Sequence, residues 1–162
     1  MKITTTNFSV GDDGKKLMTL RLSLGFVDQY AVDGIDGFIV RLSQILPGFS
    51  FQGKGAKNAP GCGAGMAEIV ARVALQLQAL AGKPCSYWQV TDTGTAGNYD
   101  ITFECSDETA AEYVARAAFR IVHAALYRQR YSLSPDLNML QNMAKTSGNT
   151  QFRKKEDSIF MH

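Results

Sequence analysis

Hydrophobic and polar residues alternate along residues 17–26, where four successive alternate positions are Met or Leu. A period of two is typical of a β-strand with one buried face. Residues 2–10 are predicted to form the strand before it, because the Gly and Asp residues at 11–14 favour a tight turn. Two further strands are predicted at residues 86–91 and 99–105, joined by a polar loop that contains glycine. The pattern therefore predicts two β-hairpins.

Apolar residues recur at helical spacing in four other segments. The first, residues 33–46, has an acidic start and is ended by a Pro-Gly pair. The second and longest, residues 65–82, carries a wide apolar stripe and is closed by a glycine. A third helix is predicted from the capping sequence Ser-Asp-Glu-Thr at 106–109 to about Arg128. A short last helix is predicted over residues 137–144.

This order of elements favours an α+β fold. It predicts a two-layer sandwich, in which helices pack on one face of an antiparallel sheet made from the two hairpins. Residues 1–146 are predicted to form a single domain. Residues 147–162 are polar and basic and are predicted to be a flexible tail. Residues 49–64 are rich in glycine and lack a hydrophobic period, which predicts a long loop.

Composition narrows the classes of function. Of 162 residues, 45% are hydrophobic and the formal net charge is +2, so the chain has enough apolar residues for a core. The balance of charge is too mild to predict nucleic-acid binding. The first residues lack the apolar stretch of a signal peptide, and no apolar run is long enough to cross a bilayer. These features predict a cytoplasmic protein without membrane contact.

The cysteines carry no recognisable metal or disulfide pattern. Cys62, Cys85 and Cys105 are odd in number and widely spaced, and no Cys-x-x-Cys pair occurs. Their separations from His123 and Glu68 neither exclude nor suggest a metal site. No cofactor is therefore predicted.

Four blocks of sequence carry a family resemblance: residues 37–48, 73–82, 97–104 and 113–118, with a weaker echo at 131–137. The second, Val-Ala-Leu-x-Leu-Gln-x-Leu-Ala-Gly, is the most specific. In these blocks the chain resembles the N-terminal domain of cyanophycin synthetase, which builds a storage polymer from aspartate and arginine. The resemblance implies an inverted-zincin-like fold and, in some members, hydrolysis of the polymer. Because nothing near the end resembles the ATP-grasp and Mur-ligase-like modules of the synthetases, a stand-alone relative is expected.

The resemblance also implies a zinc site, which this sequence lacks. Family members that hydrolyse the polymer carry His-x-x-Glu-His just before the Val-Ala-Leu block, so that two His one turn apart hold zinc and the Glu acts as base. The corresponding residues here are Glu68, Ala71 and Arg72. A guanidinium stays protonated and cannot ligate a metal. We therefore predict no catalytic residues and no metal, and an ion pair between Glu68 and Arg72 at i, i+4.

A second candidate site lies on the predicted third helix. Arg116, Arg120, His123 and Tyr127 follow the spacing i, i+4, i+7, i+11 and share one face. Together with Glu68 and Arg72, the first three are candidate ligand-binding residues for an acidic or peptide-like partner. The alternative interpretation is the solvated face of an amphipathic helix.

Three functions follow from these patterns. The favoured hypothesis is a non-catalytic binding or accessory protein, a pseudoenzyme that holds a peptide, an amino-acid polymer or a partner ATP-grasp ligase. The second is a peptide hydrolase with a rearranged metal site. The third is a structural homo-oligomer that associates through an open sheet face or edge.

Overall fold

The strands and helices follow the predicted order. The computed structural model describes residues 1–25, 35–50 and 62–157. The elements are β1 (Lys2–Val10), β2 (Lys16–Ser23), α1 (Ile35–Ile45), α2 (Cys62–Leu80), β3 (Trp88–Asp92), β4 (Asn98–Glu104), α3 (Glu108–Leu126) and α4 (Ser134–Asp157). No helix in these ranges is long and apolar enough to cross a membrane.

The two predicted hairpins join into one antiparallel sheet. The strand order is β1-β2-β4-β3, so each hairpin contributes one central and one edge strand. In the centre, Leu20 of β2 lies opposite Ile101 of β4, and Leu22 lies opposite Tyr99. Residues directly opposite one another share a face of the sheet. The register therefore places the alternate apolar side chains of both central strands on the same face.

The hydrophobic core lies between this face and the helices. The α+β two-layer prediction is confirmed: α2 and α3 pack together and both contact the sheet. The core includes the fully buried residues Met18, Leu20, Leu22, Leu24, Leu42, Leu46, Ile69, Val73, Leu77, Ile101, Phe103 and Ile121. Small residues on the inner side of α3, such as Ala117 and Ala118, are completely buried, which lets the helices approach closely.

The outer face of the sheet is polar along its central rows. Arg21 and Asp100 face each other there in a two-bond ion pair, with Nε–Oδ1 and Nη2–Oδ2 distances of 2.8 Å. The next row holds a hydrogen bond of 2.9 Å between the hydroxyls of Thr19 and Thr102. These pairs satisfy one another's polar groups on this face of the sheet.

The boundaries of several elements differ from the prediction. The last helix begins at Ser134 and continues to Asp157, so the prediction of a short helix over 137–144 was wrong. Residues 145–157 contain no proline, and six of these thirteen residues are Lys, Arg, Gln or Glu, which favour helix. Helix α2 starts at Cys62, inside the predicted loop, and β2 ends at Ser23. Most of that loop, residues 51–61, lies outside the described residues.

The cap of α3 is Asp107, not the serine that the capping sequence suggested. The Asp107 side chain accepts a hydrogen bond from the Ala110 backbone N–H at 2.7 Å. We expect Asp107→Ala to lower the free energy of unfolding by about 1 kcal/mol, the usual cost of losing an N-cap. Urea unfolding measures it. The exposed Ser106 supplies the matched control: Ser106→Ala should change stability much less, and the reverse ranking would contradict this assignment.

Candidate functional site

Glu68 and Arg72 form the predicted ion pair on the first half of α2. Arg72 donates from both Nε and Nη2 to Oε1 of Glu68, at 3.0 and 2.9 Å. Each side chain keeps a little over a third of its surface exposed, so the pair contributes only a few tenths of a kcal/mol to stability. The ion pair therefore matters for the charges that it places on the surface of α2 rather than for the stability of the fold.

A tryptophan from the sheet lies beside Arg72. The guanidinium carbon of Arg72 is 5.5 Å from the ring centroid of Trp88 at the start of β3, a cation–π contact.

A shallow groove of about 300 Å³ runs from Arg72 along α2 to the segment after α1. It is lined also by Phe49, Gln76 and Pro84. Gln76 donates to the Pro47 carbonyl at 2.9 Å and so ties this segment to α2.

The side chains at these positions do not fit a zinc ion. The guanidinium of Arg72, which has no lone pair to offer a metal ion, stands where the family resemblance expects a second histidine, and it directs two N–H groups at the Glu68 carboxylate. Ala71 in the position of the base is buried and has no proton-accepting group. Within residues 1–25, 35–50 and 62–157, no three His, Cys, Asp or Glu side chains are grouped as metal ligands.

In the structure, the residues of α3 that were predicted to bind a ligand contact different side chains. Arg116 is exposed, lies 4.0 Å from the Glu112 carboxylate, and lines a groove against β1. His123 lies between Phe119 and Tyr127, with ring centroids 6.3 and 4.4 Å away. The His123 ring therefore takes part in an aromatic row along its own helix, whereas Arg116 lies beside Glu112.

Arg120 joins a buried carboxylate that sequence analysis missed. Asp136, in the first turn of α4, accepts hydrogen bonds from Arg120 Nη2 and the Tyr113 hydroxyl, both at 2.7 Å, and from the Tyr131 hydroxyl. Asp136 is only 6% exposed. These four residues, here called the Asp136 network, hold α4 against α3. No spacing rule links Arg120 to a residue beyond the end of its own helix.

The Asp136 network gives the protein a defined pH dependence. Burial alone would raise the pKa of Asp136, but the three hydrogen bonds and the charge of Arg120 lower it overall. Burial, followed by the hydrogen bond to Asp136, raises the pKa of Tyr131 to about 12. A lowered carboxyl pKa stabilises the fold above about pH 4, and this contribution is lost as the pH falls through the folded-state value. A raised phenol pKa stabilises below about pH 10 and is lost towards pH 12.

We therefore expect stability to fall at both ends of this range. The measurement is the urea midpoint between pH 2.5 and 11.5. In Asp136→Asn the position cannot ionise, so the decrease on the acid side should be shallower than in the unchanged protein. An identical acid limb in the two proteins would contradict the role given to Asp136.

Cys85 and Cys105 lie near each other beside the end of β4. Cys85 donates to the Tyr87 carbonyl at 2.8 Å, and Cys105 is buried at the end of β4. Burial raises the pKa of both thiols. A thiol kept protonated is a poor nucleophile, so neither cysteine is prepared for covalent catalysis.

Comparison with known proteins supports one family. The family model described as the cyanophycin synthase-like N-terminal domain matches residues 18–127. Cyanophycin synthetase of Trichormus variabilis is 32% identical over 141 residues, which is 79% of this chain and 15% of that protein. The synthetases of Synechocystis sp. and Crocosphaera subtropica are 29% and 32% identical over 151 and 138 residues, covering 90% and 80% of this chain and 17% and 16% of theirs.

The antiparallel sheet covered on one face by helices defines an α+β domain. The sequence match relates this domain to the N-terminal domain of cyanophycin synthetase. The chain belongs to the cyanophycin synthase-like N-terminal domain family. It spans about a sixth of the length of the curated relatives it matches.

Proposed function

We propose that this chain is a non-catalytic binding protein of its family, which holds a peptide or amino-acid polymer, or a partner ATP-grasp ligase, without cutting it. The observation that carries the proposal is the Glu68–Arg72 ion pair, in the place where the family resemblance expects two zinc ligands. Without those ligands the position lacks what zinc-dependent hydrolysis requires, whereas the groove beside Arg72 offers a surface for binding.

The groove offers the groups that a peptide requires. Arg72 and Gln76 bring N–H donors to the groove, which suit peptide carbonyls and carboxylates, and the partly exposed Leu75 adds apolar surface. The indole of Trp88 limits the positions that the Arg72 guanidinium adopts, and a preoriented donor loses less entropy when a ligand binds. This combination favours recognition of an extended chain.

Calorimetry with the purified chain tests the proposal. An aspartate-rich peptide, an arginine-rich peptide and a purified, co-encoded ATP-grasp ligase are titrated separately. We expect at least one of them to bind, and Arg72→Gln to weaken peptide binding about tenfold, as expected for loss of a charged hydrogen bond. Binding to none of the three would overturn the proposal.

Arg21 provides the matched control, because it forms a similar arginine–carboxylate pair on the opposite face of the sheet. Arg21→Gln should leave peptide affinity unchanged. Equal losses in the two variants would show that the groove is not the binding site.

Metal content distinguishes this proposal from the alternative of a peptide hydrolase with a rearranged metal site. Elemental analysis of the purified chain and peptide cleavage before and after chelation are the measurements. We expect substoichiometric zinc and no chelator-sensitive cleavage. One zinc per chain together with a cleavage rate abolished by the chelator would establish a hydrolase instead.

A further inference from the structure

Strand β1 has one unpaired edge. In the part of the chain that the structure describes, β1 pairs with β2 alone and forms a rim of the sheet. Edge strands present free N–H and C=O groups to other chains, and natural proteins protect them with charges, prolines or short length. β1 is nine residues long, contains no proline and carries one charge, that of Lys2. Its edge is therefore open to another strand.

The side chains of β1 form an inner and an outer row. The strand is irregular between Ile3 and Thr5, and every residue from Thr5 to Val10 has a partner in β2. The register places three residues on the inner face, because their partners in β2 are buried: Ile3, Thr6 and Phe8. It places three exposed residues on the outer face: Thr5, Asn7 and Ser9.

A groove separates the inner row of β1 from helix α3. It has a volume of about 440 Å³ and lies between residues 2–6 and one side of α3, where Ala115 and Phe119 form an apolar wall. Ile3, Phe8 and Phe119 are each only partly buried, so the helices do not cover the sheet fully along β1. An apolar side chain placed in this groove would lose its contact with water, which is favourable.

The charges beside the groove favour an uncharged occupant. The α3 wall carries one charge of each sign, because Glu112 and Arg116 both line the groove, 4.0 Å apart. A charged segment would meet a like charge there, and an uncharged strand avoids that cost. Residues 3–10 of β1 are themselves uncharged, and their inner row includes Phe8. A second copy of this strand therefore fits the groove.

We propose that the chain dimerises by antiparallel pairing of β1 with β1 of a second copy, centred on Asn7. A two-fold axis perpendicular to the sheet then joins two four-stranded sheets into one of eight strands and keeps both helix layers on the same side. In this register Phe8 of each copy lies opposite Thr6 of the other, on the inner face beside the groove. The interface is independent of the proposed peptide groove, because β1 and β3 are opposite edges of the sheet.

Sedimentation equilibrium of the purified chain tests the proposal, and we expect the mass of a dimer. Asn7 is exposed on the outer face, so Asn7→Lys should leave the fold intact, which circular dichroism checks. Because it places two ammonium groups opposite each other at the two-fold axis, we expect it to weaken dimerisation about tenfold or more. An equimolar mixture of Asn7→Lys and Asn7→Glu should restore the dimer, because the facing charges are then of opposite sign.

Thr91→Lys is the matched control, because Thr91 is an exposed residue of β3, the other edge strand. It should leave the dimer unchanged. A monomeric chain would overturn the proposal and leave the β1 edge to a strand of another protein. A dimer that Asn7→Lys does not weaken, or a mixture of the two Asn7 variants that stays monomeric, would also overturn it. Monomeric Asn7→Lys should retain Arg72-dependent peptide binding, so the two proposals fail separately.

Discussion

Replacing Asp136 by alanine is expected to lower the free energy of unfolding by about 3 kcal/mol. The change leaves the hydroxyls of Tyr113 and Tyr131 and the guanidinium of Arg120 without their shared acceptor. Removing one partner of a buried ion pair costs about 3–5 kcal/mol. The Arg120 side chain is 46% exposed and regains water, which places the expected value at the lower end. Equilibrium unfolding in urea measures it.

Two further variants separate the contributions of the carboxylate's shape, its charge and its arginine partner to this loss of stability. Asp136→Asn keeps an acceptor oxygen and should cost less than Asp136→Ala. Arg120→Gln removes the positive partner and should also destabilise. A loss below about 1 kcal/mol in Asp136→Ala would contradict the network, since that is the range of exposed pairs.

The same variants decide the role of Arg120, which the sequence suggested as a ligand-binding residue. If Arg120 acts through the fold, Arg120→Gln should lower stability and leave peptide affinity unchanged. A loss of affinity without a loss of stability would instead return Arg120 to the binding site.

Replacing Phe103 by alanine is expected to lower the free energy of unfolding by about 4 kcal/mol. Phe103 is 2% exposed and lies opposite Met18 on one side and Trp88 on the other. Large-to-small substitutions of a buried aromatic residue cost about 3–5 kcal/mol, because the remaining cavity adds to the lost transfer energy. Urea unfolding followed by circular dichroism gives the value.

This variant should also disturb the candidate binding groove. Trp88 contacts Arg72 and is the only tryptophan of the chain, so its fluorescence reports on this region directly. We expect a red-shifted emission in folded Phe103→Ala. Phe103→Leu, which leaves a smaller cavity, should cost clearly less and shift the emission less. Unchanged emission in Phe103→Ala would mean that Phe103 does not support Trp88.

The sheet was predictable because side chains alternate between a buried and an exposed face along each strand. The alternation around Met18 to Leu24 requires a buried face, and β4 repeats it with Tyr99, Ile101 and Phe103. Helix α4 was not predictable in its full length, because the apolar period used to recognise helices is absent after Ala144. The choice of Asp107 over Ser106 as the cap of α3 was not predictable, since both residue types cap helices well and the sequence alone does not rank them.

The candidate site was predictable only where its contacts are local. The Glu68–Arg72 ion pair follows from i, i+4 spacing on one helix. The contact of Arg72 with Trp88 and that of Arg120 with Asp136 depend on how separate elements pack, which no spacing encodes.

The strand order has a consequence for how the chain folds. Each hairpin closes locally, but the two central strands join residues far apart in sequence; Thr19 and Thr102, for example, are separated by 83 positions. Contacts of long sequence separation form late, because closing a long loop costs entropy before any contact is gained. We therefore expect the hairpins and α2 to form early and the pairing of β2 with β4 to limit the folding rate. Before that pairing forms, the unpaired edges of β2 and β4 are exposed to solvent.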